Sequence, residues 1–225
     1  MTRITHLLLA LAATAFASAE GRVVSVERNE ALIAVKGAKA GMSAIIIYEY
    51  DGGETIAAKC AAISADDASA RLRCEPFTLY DQDSTPTLTL PIRKGDKAIF
   101  APLGQSAIVI APNVDRLVRA QSRRLDLDYI HPDLFAHQLA KDDKTSPNAQ
   151  DFRDFCDRYL VGTIVFALND GDYIVDCQTL AALEISPVRA QTSQSVFPFF
   201  NRLGIKSDRA EAFDAYYKRL ISKEF

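Results

Sequence analysis

The hydrophobic pattern changes period at Pro102, and this change constrains the fold more than any other feature of the chain. Before it, apolar residues come in short β-branched runs. "RVVSV" (Arg22–Val26) and "ALIAV" (Ala31–Val35) are separated by the polar "ERNE", and "SAIIIYEY" (Ser43–Tyr50) ends at the turn "DGG". "TIAAKCAAISADDASARLRCEPF" reads as a hairpin, and "RKGDKAIFAP" has a Gly95-Asp96 turn feeding another strand. Six short strands with regular turn signals predict a small closed barrel or a sandwich.

After Pro102 strands alternate with helices. "AIVIAP" (Ala107–Pro112) is a continuous apolar run, as expected of a strand buried on both faces. Asn113 can cap a following helix that places Val114, Leu117 and Val118 on one face. "LDYI" (Leu127–Ile130) is a short strand. Ser146 and Pro147 can serve as N-cap and first residue of a helix whose Phe152, Phe155, Cys156 and Tyr159 share a face. "GTIVFALNDGDYIVDCQTL" predicts a hairpin turning at Asp170-Gly171 in type I′ geometry. A last helix is expected from Asp208 to Ser222. The fold class is therefore mixed α+β. A small β domain (residues 20–103) precedes an α/β domain with a mixed sheet (residues 104–225).

The first 19 residues read as a secretory signal peptide. Arg3 supplies the positive end, "LLLALAATAF" the apolar stretch, and "ASA" the small residues before cleavage at Glu20. The stretch is too short to span a bilayer, and no later run is long enough, so no transmembrane segment is expected after cleavage. The four cysteines then lie in an oxidising compartment, the periplasm or the outer surface. If the hairpin turns at Asp67, Cys60 falls opposite Cys74 within disulfide range, which leaves Cys156 with Cys177. A catalytic Cys156 thiol is the alternative. Net charge is −3, which does not favour nucleic acid as a partner.

Candidate chemistry is sparse. "IHPDLFAHQLA" holds His131 and His137, with Asp133 between them. Pro132 suits a helix start, and Asp133 suits its first turn. Histidines six apart diverge by about 120° around a helix, so they do not converge on a metal by local geometry. A helix start is the favoured reading, with His131, Asp133 and His137 as weak candidates for a metal or hydrolytic site. Arg116, Arg119 and Arg123 form a stripe beside Arg124, read as a solvated face. "KGAKAG" lacks the end of a phosphate loop. Neither Gly-x-Ser-x-Gly nor His-Glu-x-x-His occurs, and no cofactor is expected.

Four segments in this order, "LPIRKGDKAIFAPLGQSAIVIAPN", "YIHPDLFAHQLA", "DFRDFC" and "FALNDGDYIVDCQTL", resemble the N-terminal domain family of the bacterial plasminogen-binding protein PgbA. The similarity is strongest from Leu90 to Leu180. It implies an exported, non-enzymatic envelope or surface protein with a protein partner, plasminogen. It also implies that Cys156 and Cys177 are a family pair, whereas Cys60 and Cys74 are particular to this chain. Plasminogen's kringle domains bind lysine side chains, best with a carboxylate nearby. The sequence ends "LISKEF" at Phe225, so the expectation falls on Lys218 and Lys223, with Glu224 near them. An envelope assembly or scaffold protein is the alternative function, and a metal-dependent or hydrolytic enzyme using His131 and His137 is another.

Overall fold

The structure, a computed structural model, describes residues 18–77, 89–189, 195–207 and 212–221. The expected signal peptide lies outside them apart from its last two residues, as do His6, Lys223 and Phe225. Six strands, β1 (Ala19–Glu27), β2 (Glu30–Ala34), β3 (Ser43–Tyr50), β4 (Gly53–Ala65), β5 (Ser69–Pro76) and β6 (Lys97–Phe100), close a barrel in the order β1-β2-β5-β4-β3-β6. Closure removes every strand edge. A six-stranded barrel has a narrow interior, and its residues alternate in size across neighbouring strands. Phe100 faces Ala44, Ile46 faces Ala98 and Ala58, Leu72 faces Ala31 and Ala62, and Ile33 faces Ala70. All ten are buried, at 2% exposure or less. The barrel resolves the choice between barrel and sandwich.

The second half is a five-stranded mixed sheet. Its strands are β7 (Ser106–Ile110), β8 (Asp128–Ile130), β9 (Thr163–Ala167), β10 (Gly171–Asp176) and β11 (Ala182–Pro187), ordered β11-β10-β9-β7-β8. β7 runs parallel to β8 and β9, whereas β9, β10 and β11 are antiparallel. Helix α1 (Val114–Arg123) covers one face with Leu117 and Ala120, against Val109, Val165 and Ile174. Helices α2 (Asp133–Lys141), α3 (Ala149–Tyr159) and α4 (Phe213–Leu220) cover the other. Aromatic rings fill that layer. Phe135 lies 4.7 Å from Phe152 and 4.9 Å from Phe155, and Tyr217 lies 5.0 Å from Phe166. The buried Tyr216 and Tyr217 hydroxyls each donate to a proline carbonyl, of Pro147 and Pro198.

Several details depart from the expectations. The cap of α3 is Asn148, one residue after Pro147; it forms a capping box with Asp151. The described part of the last helix spans Phe213–Leu220, while residues 208–211 and 222 lie outside the described set. The β9–β10 hairpin exists, but neither Asp170 nor Gly171 has the positive φ of a type I′ turn. Gly171 instead opens β10, where a Cβ would lie 3.1 Å from the Ser186 carbonyl oxygen and 3.2 Å from Ile185 Cγ2. Strand packing, not turn geometry, calls for glycine there. Strand β11 was not foreseen; its short edge segment carries no strong apolar run.

The barrel and the sheet share one continuous apolar core. Polar contacts tie them together as well. Asp176, at the end of β10, accepts from the Ser43 N–H at 2.8 Å and from its hydroxyl at 2.7 Å. The Thr179 hydroxyl donates to the Gly41 carbonyl at 2.6 Å. Gly162 leads into β9 where a Cβ would sit 2.1 Å from the Leu103 carbonyl oxygen, so only glycine lets the two backbones approach.

Candidate functional site

A groove of about 630 Å³ lies between the outer wall of the barrel and α3. Its geometry follows from strand register. Cys60 pairs with Cys74 across β4 and β5, with side chains turned inward. Alternation therefore turns Lys59, Ala61, Arg73 and Glu75 outward. Across to β3, Lys59 faces Ile45 and Ala61 faces Ser43. The result is a half-buried apolar floor of Ile45, Ala61 and Ile63, edged by charges. The opposite wall carries Arg153 and Asp157 of α3, with Gln178 and Thr179 after β10.

Both walls are pinned by disulfides. Cys60 is bonded to Cys74 beneath the floor, and Cys156 to Cys177 behind the opposite wall. Lys59, Ala61, Arg73 and Glu75 flank the first bridge in sequence, and Asp157 and Gln178 flank the second. A groove so held loses little freedom when it is filled. One ion pair crosses it: Lys59 Nζ lies 3.2 Å from Asp157 Oδ1, which also accepts from Gln178 Nε2 at 2.8 Å. On the same wall, the Arg153 Nε–H donates to the Gln178 carbonyl at 2.9 Å.

The histidine segment has a different role. Helix α2 starts after Pro132 with no side-chain cap from that residue. His131 supplies the missing acceptor, because its Nδ1 takes the Asp133 N–H at 3.1 Å. The Asp133 carboxylate is held by Arg202, through the backbone N–H at 2.9 Å and Nε at 2.5 Å. No hydrogen bond or ion pair joins His137, exposed on α2, to either residue among those described. No group of three or more His, Cys, Asp or Glu residues is placed to hold a metal among the described residues.

Burial pushes the Asp133 carboxyl up, but Arg202 and His131 outweigh it and hold the group below its ordinary 3.8. A carboxylate with a depressed folded pKa stabilises the fold above its unfolded pKa and loses that contribution as pH falls. NMR titration should place Asp133 below the ordinary value. The Arg202→Gln variant should move it upward and show a shallower loss of stability in acid; an unmoved titration would show that Arg202 does not hold it.

Lys218 lies on α4, its Nζ 2.6 Å from Asp170 Oδ2 and 5.8 Å from the centre of the Tyr173 ring. The Asp170 hydrogen bond holds the amine above its ordinary pKa. The arginine stripe is not a uniformly solvated face. Arg116 is buried, with Nη2 2.7 Å from Asp172, and the exposed Arg123 reaches the same carboxylate at 3.2 Å. Arg124 pairs with Asp126 and Glu184.

A family model described as plasminogen-binding protein PgbA N-terminal matches residues 19–221. The chain belongs to this family. Two curated relatives, both named plasminogen-binding protein PgbA, come from Helicobacter pylori strains J99 and 26695. Each is 24% identical, over 197 and 195 residues, or 83% and 82% of this chain. The alignments take in 43% and 42% of the relatives, so the chain spans less than half of their length. The PgbA N-terminal match includes both groove walls, His131 and Lys218, and stops before Lys223. The relatives are named as binding proteins, not enzymes. Among the described residues no helix is long and apolar enough to cross a membrane.

The groove was missed in sequence because its walls lie far apart in the chain; Lys59 and Asp157 are 98 residues apart. One signal was present: charged or polar residues directly flank all four half-cystines that pin it, on both sides at Cys74 and Cys177.

Proposed function

We propose that this is an exported, non-enzymatic protein of the bacterial envelope or surface that captures a protein partner, and that the partner is plasminogen. The observation that carries the reading is the Lys218–Asp170 corner. It presents an amine and a carboxylate together on the surface, at 40% and 52% side-chain exposure. Sites that recognise lysine want that combination. A surface ion pair contributes only about 0–1 kcal/mol, so a competing carboxylate can take the amine and leave Asp170 beside it. Lys223 completes the proposed epitope from outside the described residues. The family relatives' names support plasminogen as the partner. Export rests on the signal-peptide reading, and two disulfides fit an oxidising compartment.

The test is surface plasmon resonance of plasminogen over the immobilised protein, with 6-aminohexanoic acid as a free lysine analogue. The analogue should abolish binding, and Lys218→Ala with Lys223→Ala should weaken it about tenfold, the loss of one good contact. Indifference to plasminogen at micromolar concentration would end the reading.

The groove favours a second reading, in which the protein is an envelope scaffold. Residues 20–103 and 104–225 would then act as two domains that hold a partner from the same cell between them. Crosslinking in the native envelope followed by purification should recover a stable endogenous partner; none would argue against it.

A further inference from the structure

We propose that the groove between the barrel and α3 binds an extended peptide that places a carboxylate between apolar side chains. The proposal rests on the protein being a binding module, and it concerns a surface separate from Lys218. Four observations support it.

The first is size. About 630 Å³ is the scale at which clefts enclose most of a bound molecule, and it accommodates a few residues of extended chain. The second is charge. The lining holds three cations (Lys59, Arg73, Arg153) against two carboxylates (Glu75, Asp157), in a chain whose net charge is −3. Guanidinium groups stand on both walls, and their planar forks match carboxylates two oxygens at a time. The Arg73 side chain has no ion pair among the described residues. The Arg153 Nε is held by the Gln178 carbonyl, which fixes the fork.

The third is the floor. Ile45, Ala61 and Ile63 offer apolar surface between the charged walls. An extended peptide alternates its side chains, so apolar residues can seat there while a carboxylate reaches the arginines. Because the barrel is closed, the peptide is held by side chains and not by added strand pairing. The fourth is rigidity: the two disulfides hold the walls before the ligand arrives.

The Lys59–Asp157 pair gives the proposal a signed consequence. In the free protein Asp157 occupies the Lys59 ammonium. A ligand carboxylate must compete for it. Removing the Asp157 charge should therefore tighten peptide binding, whereas a purely structural ion pair would leave binding unchanged or weaken it.

The experiment pans phage-displayed random dodecapeptides against the intact protein. The best recovered sequence is then synthesised and measured by fluorescence polarisation. Recovered peptides should be enriched in Asp or Glu beside apolar residues. Exchanging the acidic residue for its amide should weaken binding about tenfold, as should Arg73→Gln with Arg153→Gln in a protein shown to be folded by circular dichroism. Asp157→Asn should tighten it about threefold, the scale of one exposed ion pair. Comparing free and amidated peptide ends separates a terminal carboxylate from a side-chain one, and either would satisfy the proposal. Failure to recover peptides, no acidic enrichment, or indifference to both arginine changes would overturn it. Plasminogen capture is measured on the same double variant. A parent protein that captures plasminogen but binds no peptide removes the groove proposal alone, whereas capture lost in the double variant, with peptide bound by the parent protein, removes only the assignment of plasminogen to Lys218.

Discussion

Replacing Asp176 with alanine should lower the stability of the fold by about 3 kcal/mol, read as a fall in the urea midpoint. Asp176 is 2% exposed, and its carboxylate accepts from four donors. These are the Ser43 N–H and hydroxyl at 2.8 and 2.7 Å, and the Gln178 and Thr179 N–H groups at 3.0 and 3.1 Å. Three of the four are backbone donors, which cannot rotate away to another partner. Each stranded backbone donor costs about 1–3 kcal/mol, and water entering the vacated space offsets part of the sum. Asparagine tests the geometry. Its oxygen can satisfy one side, but its amide then points two hydrogens at donors on the other, so Asp176→Asn should also destabilise, by about 2 kcal/mol. The loss should localise. Ser43 begins β3 and lies on the groove, as do Gln178 and Thr179. Hydrogen exchange at the Ser43, Gln178 and Thr179 amides should therefore accelerate more than exchange within β7. A variant as stable as the parent would mean that these amides find other acceptors.

The parts of this architecture that were legible in sequence are those set by local periodicity. The run from Ala107 reads as a doubly buried strand because no polar residue interrupts it, and β7 is buried on both faces. The Cys60 hairpin is readable because a turn residue fixes register: Asp66 accepts from the Ala68 and Ser69 N–H groups, and Cys60 falls opposite Cys74. The barrel follows from six strands with little room inside. What escaped was set by partners distant in sequence. Gly171 looks like a turn glycine until β11 arrives against it. His131 and Asp133 read as a helix start, but nothing local says that Arg202, 69 residues on, holds the Asp133 carboxylate. The arginine stripe shows the same limit. Helical spacing puts Arg116, Arg119 and Arg123 on one side, but nothing local says that Arg116 turns towards a carboxylate 56 residues later.

That carboxylate sets up the second large effect. Arg116→Met should destabilise the protein by about 3 kcal/mol, whereas Arg123→Gln should cost under about 1 kcal/mol, although both arginines reach Asp172. The difference lies in solvent. Arg116 and Asp172 are 10% and 3% exposed as side chains, and Arg123 is 46% exposed. Arg116 also donates to the Leu168 carbonyl at 2.8 Å, fastening the β9–β10 connection to α1. Without Arg116, Asp172 remains buried with only a half-exposed cation, and water cannot replace the lost pair cheaply. Attraction between the partners largely repays their own desolvation, so most of the cost of a single change comes from the charge left behind. Arg116→Met combined with Asp172→Leu removes both charges and fills similar volume. It should recover most of the loss, with an interaction energy of about 2 kcal/mol between the two sites. Equal costs for Arg116→Met and Arg123→Gln would show that exposure does not rank these contacts. Additive single and double changes would show that Arg116 acts through the Leu168 carbonyl and packing, and that its charge contributes little.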